Sequence, residues 1–215
     1  MSAGGTLHAC RLYGIVDLGY VNAADAAGVT RAMIDGGVDI IQLRGKQQAV
    51  RELMSLAARL RDVTGEADIP LVVNDHPEIA REVGAAGVHV GQDDLSVAEA
   101  REAAGGNCFV GKSTHSFEQA TQAAAEGADY IGFGPLFATP TKPDYGAIGL
   151  ADVERVHAAV ALPVFCIGGI KLENLRDVIA AGARRVVLVS GLLQARDVAE
   201  YARSAKALLN RNSKI

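Results

Sequence analysis

Pro70-Leu71-Val72-Val73-Asn74-Asp75 opens a stretch that runs on through Pro77–Val83 to Gly84-Ala85-Ala86-Gly87-Val88-His89-Val90-Gly91-Gln92-Asp93-Asp94. Two apolar runs, each closed by acidic residues, flank a short helical pattern and a glycine. A run such as Leu71-Val72-Val73 has apolar residues at consecutive positions, the pattern of a strand buried on both faces. Charged residues directly after such a strand lie at its carboxyl end, where open parallel sheets and closed barrels place their chemistry. The preceding run, Val38-Asp39-Ile40-Ile41-Gln42-Leu43-Arg44-Gly45-Lys46, ends in cations instead. Three neighbouring strand tips therefore present two positive charges, an amide and at least two carboxylates. That combination suits a divalent metal ion holding a phosphorylated substrate.

The same unit repeats along the whole chain. Strands are predicted over 12–16, 40–43, 71–74, 87–90, 109–111, 130–133, 164–167 and 186–190, and helices over 24–36, 49–64, 77–83, 97–104, 117–127, 150–160, 172–181 and 195–209. Within 49–64, Val50, Leu53, Met54, Ala57 and Leu60 follow the spacing of one apolar helix face. The phrases Asp35-Gly36-Gly37-Val38, Val83-Gly84-Ala85, Glu126-Gly127-Ala128 and Ala181-Gly182-Ala183 each read as a left-handed glycine cap, a short turn and a new strand. Eight alternating units without a compositional break predict an α/β protein, a single compact (β/α)8 TIM barrel over residues 1–215. Residues 1–10 and 211–215 read as flexible termini. The alternative, a doubly wound open sheet, normally uses fewer strands and reverses direction at one crevice. The longest irregular stretch, 134–149, follows the sixth strand on the catalytic face, where a long loop is more often functional than idle.

Composition bounds the rest. The chain has 215 residues, 49% of them hydrophobic but only 5% aromatic, and no Trp, so Ala, Val, Leu and Ile must fill its core. The net charge is −4 and the basic residues are scattered, which argues against a nucleic-acid partner. Cys10, Cys108 and Cys166 show no paired spacing, which favours a reducing, cytoplasmic setting. Neither a signal peptide nor an apolar run long enough to span a membrane is evident.

Alternation along the second strand places Gln42, Arg44 and Lys46 on one side and Leu43 opposite. Arg offers a planar fork to phosphate oxygens and Lys a compact point charge. Alone, Arg-x-Lys reads as a solvated strand end; beside two acidic tips it reads as a binding site. Asp75, with Asp94 or Asp93, follows consecutive strands, so two carboxylates could approach one Mg²⁺, which takes one or two carboxylates together with substrate phosphate and water. Asn74 could donate to the same phosphates, and Asp75 could also cap a helix ahead of Pro77. His76 and His89 read as hydrogen-bonded core residues rather than ligands.

At the fifth strand, Gly111-Lys112-Ser113-Thr114-His115 offers Ser113 or Lys112 to a phosphate, although Ser113 also reads as a helix cap near Ser116. No Gly-x-Ser-x-Gly elbow accompanies it, so a Ser–His–Asp triad is not indicated. In the long loop, Thr139, Thr141 and Lys142, stiffened by Pro140 and Pro143, suit a phosphate clamp, or else a surface loop. Ile167-Gly168-Gly169-Ile170 and Val189-Ser190-Gly191 end the seventh and eighth strands, where barrels supply backbone N–H groups to phosphate. Two phosphate sites imply two small phosphorylated substrates.

These motifs, QLRGK at 42–46, ND at 74–75, GVHVGQDD at 87–94, GKSTH at 111–115, GPLFATPTK at 134–142, IGGI at 167–170 and VS at 189–190, resemble thiamine phosphate synthases in kind and order. The resemblance spans roughly residues 12 to 192. It implies a transferase that joins hydroxymethylpyrimidine diphosphate to thiazole phosphate, releasing pyrophosphate by a dissociative, Mg²⁺-assisted route. By the same resemblance, Gln42 faces the pyrimidine, Arg44, Lys46, Asn74 and Lys142 hold the diphosphate, and Ser113 contacts it as it leaves. Ser113, Lys142, Arg44 and Lys46 become the catalytic group, Asp75 and Asp94 the metal ligands, and Thr139, Thr141, Gly169, Val189 and Ser190 the thiazole phosphate site. A homodimer is implied too.

The chain departs from the family pattern at Gly45, where QLR is usually followed by an acidic residue, and at Ala86, where Asp is usual. Neither change removes a proposed metal or phosphate group. Two rival readings are a thiazole tautomerase of the same fold and a non-catalytic module that binds phosphate ligands. The first has no use for a metal and diphosphate cluster, and the second leaves its geometry unexplained.

Overall fold

The computed structural model describes residues 7–139 and 146–211. Eight strands, β1 (Leu12–Asp17), β2 (Ile40–Arg44), β3 (Leu71–Asn74), β4 (Gly87–Val90), β5 (Phe109–Thr114), β6 (Tyr130–Phe133), β7 (Val164–Cys166) and β8 (Val186–Leu188), form a closed barrel in sequential order. Every pairing is parallel, including the closure of β8 onto β1. The crossovers are helices α1 (Ala26–Asp35), α2 (Val50–Glu66), α3 (Pro77–Val83), α4 (Val97–Ala103), α5 (Phe117–Ala125), α6 (Val153–Ala159) and α7 (Leu175–Ala180). A short α8 (Ser190–Leu193) and the long α9 (Val198–Arg211) follow β8. The predicted (β/α)8 TIM barrel is therefore the observed fold.

Strands β3, β4 and β6 match the sequence reading end for end. Strand β5 runs three residues further than predicted because Lys112, Ser113 and Thr114 still pair with Ile131, Gly132 and Phe133 of β6. Strand β8 is two residues shorter, since Val189 turns out of extended geometry (φ −126°, ψ −95°) and Ser190 begins a helix too short to leave a periodic pattern. The buried face of α2 is Leu53, Leu56, Ala57, Leu60 and Val63; Val50, expected on it, is 49% exposed because it sits in the first turn, ahead of that face. Gly37, Gly84, Gly127 and Gly182 all take positive φ after their helices, a region that costs other residues a steric clash.

Alternation divides the strands into two buried layers. One face of the strands contributes Val16, Ile41, Leu43, Val73, Val88, Val110, Ile131, Cys166 and Leu188 to the larger cluster, packed with helix residues such as Met33, Leu60 and Val156. The opposite face contributes Tyr13, Ile15, Ile40, Val72, Phe109, Tyr130, Phe165 and Val187 to a separate cluster inside the barrel, joined by Leu7 and Cys10. Four of the chain's ten aromatics thus meet in the interior, with Phe165 edge-on to both Tyr13 and Tyr130 at centroid distances of 5.5 and 5.6 Å. Such edge-to-face contacts favour a fixed packing. Gly111 makes room for them: a Cβ there would lie 2.0 Å from the Tyr130 ring. The filled interior leaves the carboxyl ends of the strands as the floor of a site.

Candidate active site

A cavity opens at those strand ends. Gln42 and Arg44 of β2, Asn74 of β3 and Ser113 of β5 line one side, and Thr139, Gly169, Val189 and Ser190 the other. The structure therefore brings both predicted groups of side chains into a single chamber. Thr141 and Lys142 lie outside the described residues. Lys112, the alternative to Ser113, points to the opposite face of β5, where its Nζ meets the Leu95 carbonyl at 3.5 Å. Ser113 is not a helix cap, because Ser116 caps α5 by accepting from the Gln119 N–H.

On the rim, Lys46 Nζ lies 2.6 Å from Asp75 Oδ2. Asp75 does not cap α3 either, since His76 precedes Pro77 and makes no side-chain cap bond. Instead Asp75 takes φ 63°, and its N–H donates to the His89 carbonyl at 2.9 Å, turning the side chain away from the helix entrance. The Asp75 carboxyl hydrogen-bonds that of Asp94, and Asp94 also accepts from the Gly91 N–H at 2.7 Å. Burial pushes the Asp75 carboxyl above its ordinary range against the pull of Lys46, and the neighbouring Asp94 adds to the rise. Burial acts upward on Asp94 too, but the Asp75 and Gly91 hydrogen bonds outweigh it and hold Asp94 low. Of the two, Asp75 is thus the carboxyl whose ionised form is the more disfavoured. Asp94, not Asp93, makes this contact.

Two carboxyl groups close enough to share a proton also fit one shared cation. Among the described residues no cluster of three or more Asp, Glu, His or Cys side chains is gathered. The donor set accordingly suits a hard ion that completes its shell with water and phosphate oxygens, as Mg²⁺ does.

Several residues escaped the sequence reading. Asp17, the last residue of β1, is 3% exposed; its Oδ2 lies 2.6 Å from Arg44 Nη1 and its Oδ1 accepts from the Gly19 N–H. The rule that singled out Asp75, an acid directly after an apolar run, applies equally to Asp17 after Tyr13-Gly14-Ile15-Val16. Gln92 donates to the Ser113 carbonyl and pins the tip of β5. His115 lines the cavity and donates from Nδ1 to the Gly134 carbonyl, tying β5 to the start of the long loop.

The loop's two ends are held as well. The Leu136 and Phe137 N–H groups donate to Ile167 and Gly168, and the Ile148 N–H donates back to Pro135. Gly168 and Gly169 take φ 95° and 65°, and a Cβ on Gly169 would come within 2.7 Å of Phe137. The glycine pair thus serves close approach of the loop. Ser190, beginning α8, presents first-turn N–H groups that helix geometry leaves without intrahelical acceptors.

A closed parallel barrel with an apolar-floored cavity and a few convergent polar groups at its carboxyl face belongs to the (β/α)8-barrel class of enzymes. Within that class, residues 12–192 match the family described as thiamine monophosphate synthase. The chain belongs to that family and is an enzyme of thiamine biosynthesis. It is 43% identical over 201 residues to the thiamine-phosphate synthase of Chloroflexus aurantiacus, covering 93% of each chain. It is 42% identical over 189 residues to that of Shouchella clausii, covering 87% of this chain and 90% of the relative. Among solved structures, thiamine phosphate pyrophosphorylase from Pyrococcus furiosus superposes with a TM-score of 0.87 at 31% identity, covering 97% of this chain and 98% of that one. The first two relatives bear the synthase name and the third the pyrophosphorylase name, and the tautomerase reading is not favoured.

Proposed function

We propose that the chain condenses hydroxymethylpyrimidine diphosphate with thiazole phosphate, forming thiamine phosphate and releasing pyrophosphate. The observation that carries this reading is the clustering of Arg44, Lys46, Asp75 and Asp94 beside a cavity whose far wall is built by Gly169 and Ser190. A tautomerase or a plain phosphate-binding module would have no work for that cluster.

In this reading Gln42 orients the pyrimidine. Arg44, Lys46, Asn74 and Lys142 take the diphosphate, and Ser113 contacts it as it departs. Asp75 and Asp94 would hold Mg²⁺, which when bound supplies positive charge against the departing diphosphate. The C–O bond breaks first, leaving a pyrimidine-stabilised methylene cation that the thiazole nitrogen captures, so no protein nucleophile is needed. Arg44 and Lys46 meet charge that grows on the leaving oxygens, and fixed charges of this kind are most effective where little reorganisation is required. The apolar interior of Tyr13, Tyr130 and Phe165 beneath the site keeps water from competing for the cation.

Thr139, Thr141, Gly169, Val189 and Ser190 take the thiazole phosphate. A cytoplasmic setting accords with the burial of all three cysteines, Cys10, Cys108 and Cys166. The homodimer implied by the family is measured directly by light scattering. The deciding assay mixes purified protein, both substrates and Mg²⁺ and looks for thiamine phosphate. No product, with turnover of a thiazole tautomer instead, would overturn the reading.

A further inference from the structure

Five side chains inside the barrel form one hydrogen-bonded file ending at the cavity. Gln42 Nε2 donates to Tyr13 Oη at 2.8 Å, and the Tyr13 and Tyr130 phenols are 3.0 Å apart. Tyr130 Oη lies 2.9 Å from His89 Nδ1, and His89 Nε2 lies 2.9 Å from Ser113 Oγ. Tyr13 and Tyr130 are each 1% exposed, and burial raises the pKa of both, so both keep their single hydrogens.

Counting those hydrogens gives the file a direction. Tyr13 accepts from the Gln42 amide. If it also accepted from Tyr130, its own hydrogen would be buried without an acceptor, which costs more than a hydrogen bond gains. Tyr13 therefore donates to Tyr130, and Tyr130 donates to His89 Nδ1. A His89 ring that accepts at Nδ1 carries its hydrogen on Nε2 and donates it to Ser113 Oγ. Ser113, whose oxygen is occupied by that donor, turns its own hydrogen into the cavity.

We propose that this file is a one-way relay that fixes His89 as the Nε2–H tautomer and aims the Ser113 hydroxyl hydrogen at the departing diphosphate. The identity of what Ser113 meets rests on the function proposed above. Tyr13, Tyr130 and His89 are positioning residues, acting through Ser113, and no proton leaves the protein. A Ser–His contact usually suggests a base that activates a nucleophile. Here the polarity is reversed: His89 donates, and Ser113 serves as a hydrogen-bond donor to growing negative charge. Run the other way, the file would present the lone pairs of Ser113 to an anion and repel it.

Histidine ¹⁵N NMR on the ligand-free protein, assigned with His89→Gln, tests the relay without substrate. Nε2–H with a bare Nδ1 at neutral pH is expected; Nδ1–H, or a doubly protonated ring, would overturn the proposal whatever reaction the chain catalyses. A kinetic cycle then tests its consequence. Ser113→Ala should lower kcat on the order of 100-fold, the usual effect of losing one donor to developing charge. Tyr130→Phe, which keeps the ring and loses only the hydroxyl, should lower it on the order of tenfold alone, but by about twofold or less once Ser113 is Ala. Fully additive losses would mean that Tyr130 merely supports the fold. His89→Gln, whose amide nitrogen can stand in for Nε2–H, should retain more activity than His89→Leu. Absence of thiamine phosphate from the wild-type assay would sink the proposed reaction and leave the tautomer result standing.

Discussion

Asp17 Oδ2 and Arg44 Nη1 meet at 2.6 Å across two strand tips whose register pairs these same residues. Both side chains are largely buried, at 4% and 14% exposure, so the carboxylate holds the guanidinium in place with few other conformers open to it. Arg44 also lines the cavity, which leaves the rest of its donor fork for a ligand. Asp17→Ala strands a buried charge and should cost about 3 kcal/mol of stability, read as a lowered Tm. The same variant should raise KM for the pyrimidine diphosphate roughly tenfold while leaving KM for the thiazole phosphate near its wild-type value, because losing the lock frees Arg44 to leave its binding pose. An equal rise in both KM values would mean that Asp17 supports the barrel as a whole rather than Arg44.

The Asp75–Asp94 pair predicts opposite pH limbs for the ligand-free protein. Asp75 has a raised folded pKa, so the folded state holds its proton after the unfolded chain has lost it. Stability therefore falls as pH rises from the ordinary aspartate value through the raised one. Asp94 is held low, so its contribution is present above the ordinary value and is lost as pH falls through the lowered one. Asp75→Asn suits the positive φ of that position and removes the upper limb. The Tm difference between wild type and Asp75→Asn, followed from acid to neutrality, should grow in the variant's favour with rising pH. A difference that is flat with pH would show that the two carboxyls do not share a proton.

Magnesium should act on the same limb. Added Mg²⁺ should raise the wild-type Tm at neutral pH by substituting for the shared proton, and Asp94→Ala should abolish that rise. Asp93→Ala should leave it nearly intact, because Asp94 is the residue bonded to Asp75. In turnover, Asp94→Ala should lose on the order of 100-fold or more and Asp93→Ala about tenfold or less. Equal losses would assign the metal role to the wrong member of the doublet.

The parts of this fold that could be read from sequence are those set by local pattern. Strands β3 and β4 are short apolar runs bounded by Pro, Gly and acids, and their limits followed from the residues alone. The relay could not be read in this way. Its four contacts join residues 29, 117, 41 and 24 positions apart, and each partner looks locally like an ordinary core residue. Only closure of the barrel brings Tyr13 against Tyr130. Asp17 was legible in principle, since it ends an apolar run as Asp75 does, but its partner Arg44 already made sense as a phosphate ligand. Sequence indicated that Gly168 and Gly169 matter and suggested backbone donors. The structure adds that the long loop packs where their side chains would stand.

The glycine and serine on the far wall offer the clearest separation of the two substrate sites. Ser190→Ala removes a hydroxyl at the start of α8 and leaves the backbone unchanged, so KM for thiazole phosphate should rise roughly tenfold with little change in kcat or in KM for the diphosphate. Gly169→Ala is a harsher change. Its φ of 65° disfavours a side chain, and the added methyl would press on Phe137 at 2.7 Å and on the Ala138 carbonyl at 2.9 Å. The start of the long loop must then shift, carrying Thr139 with it. Gly169→Ala should therefore lose both kcat and thiazole phosphate affinity, with a Tm lowered by several degrees, the response to about 1–3 kcal/mol of strain. Should Ser190→Ala raise KM for the pyrimidine diphosphate instead, the division of the cavity into two phosphate sites would be wrong.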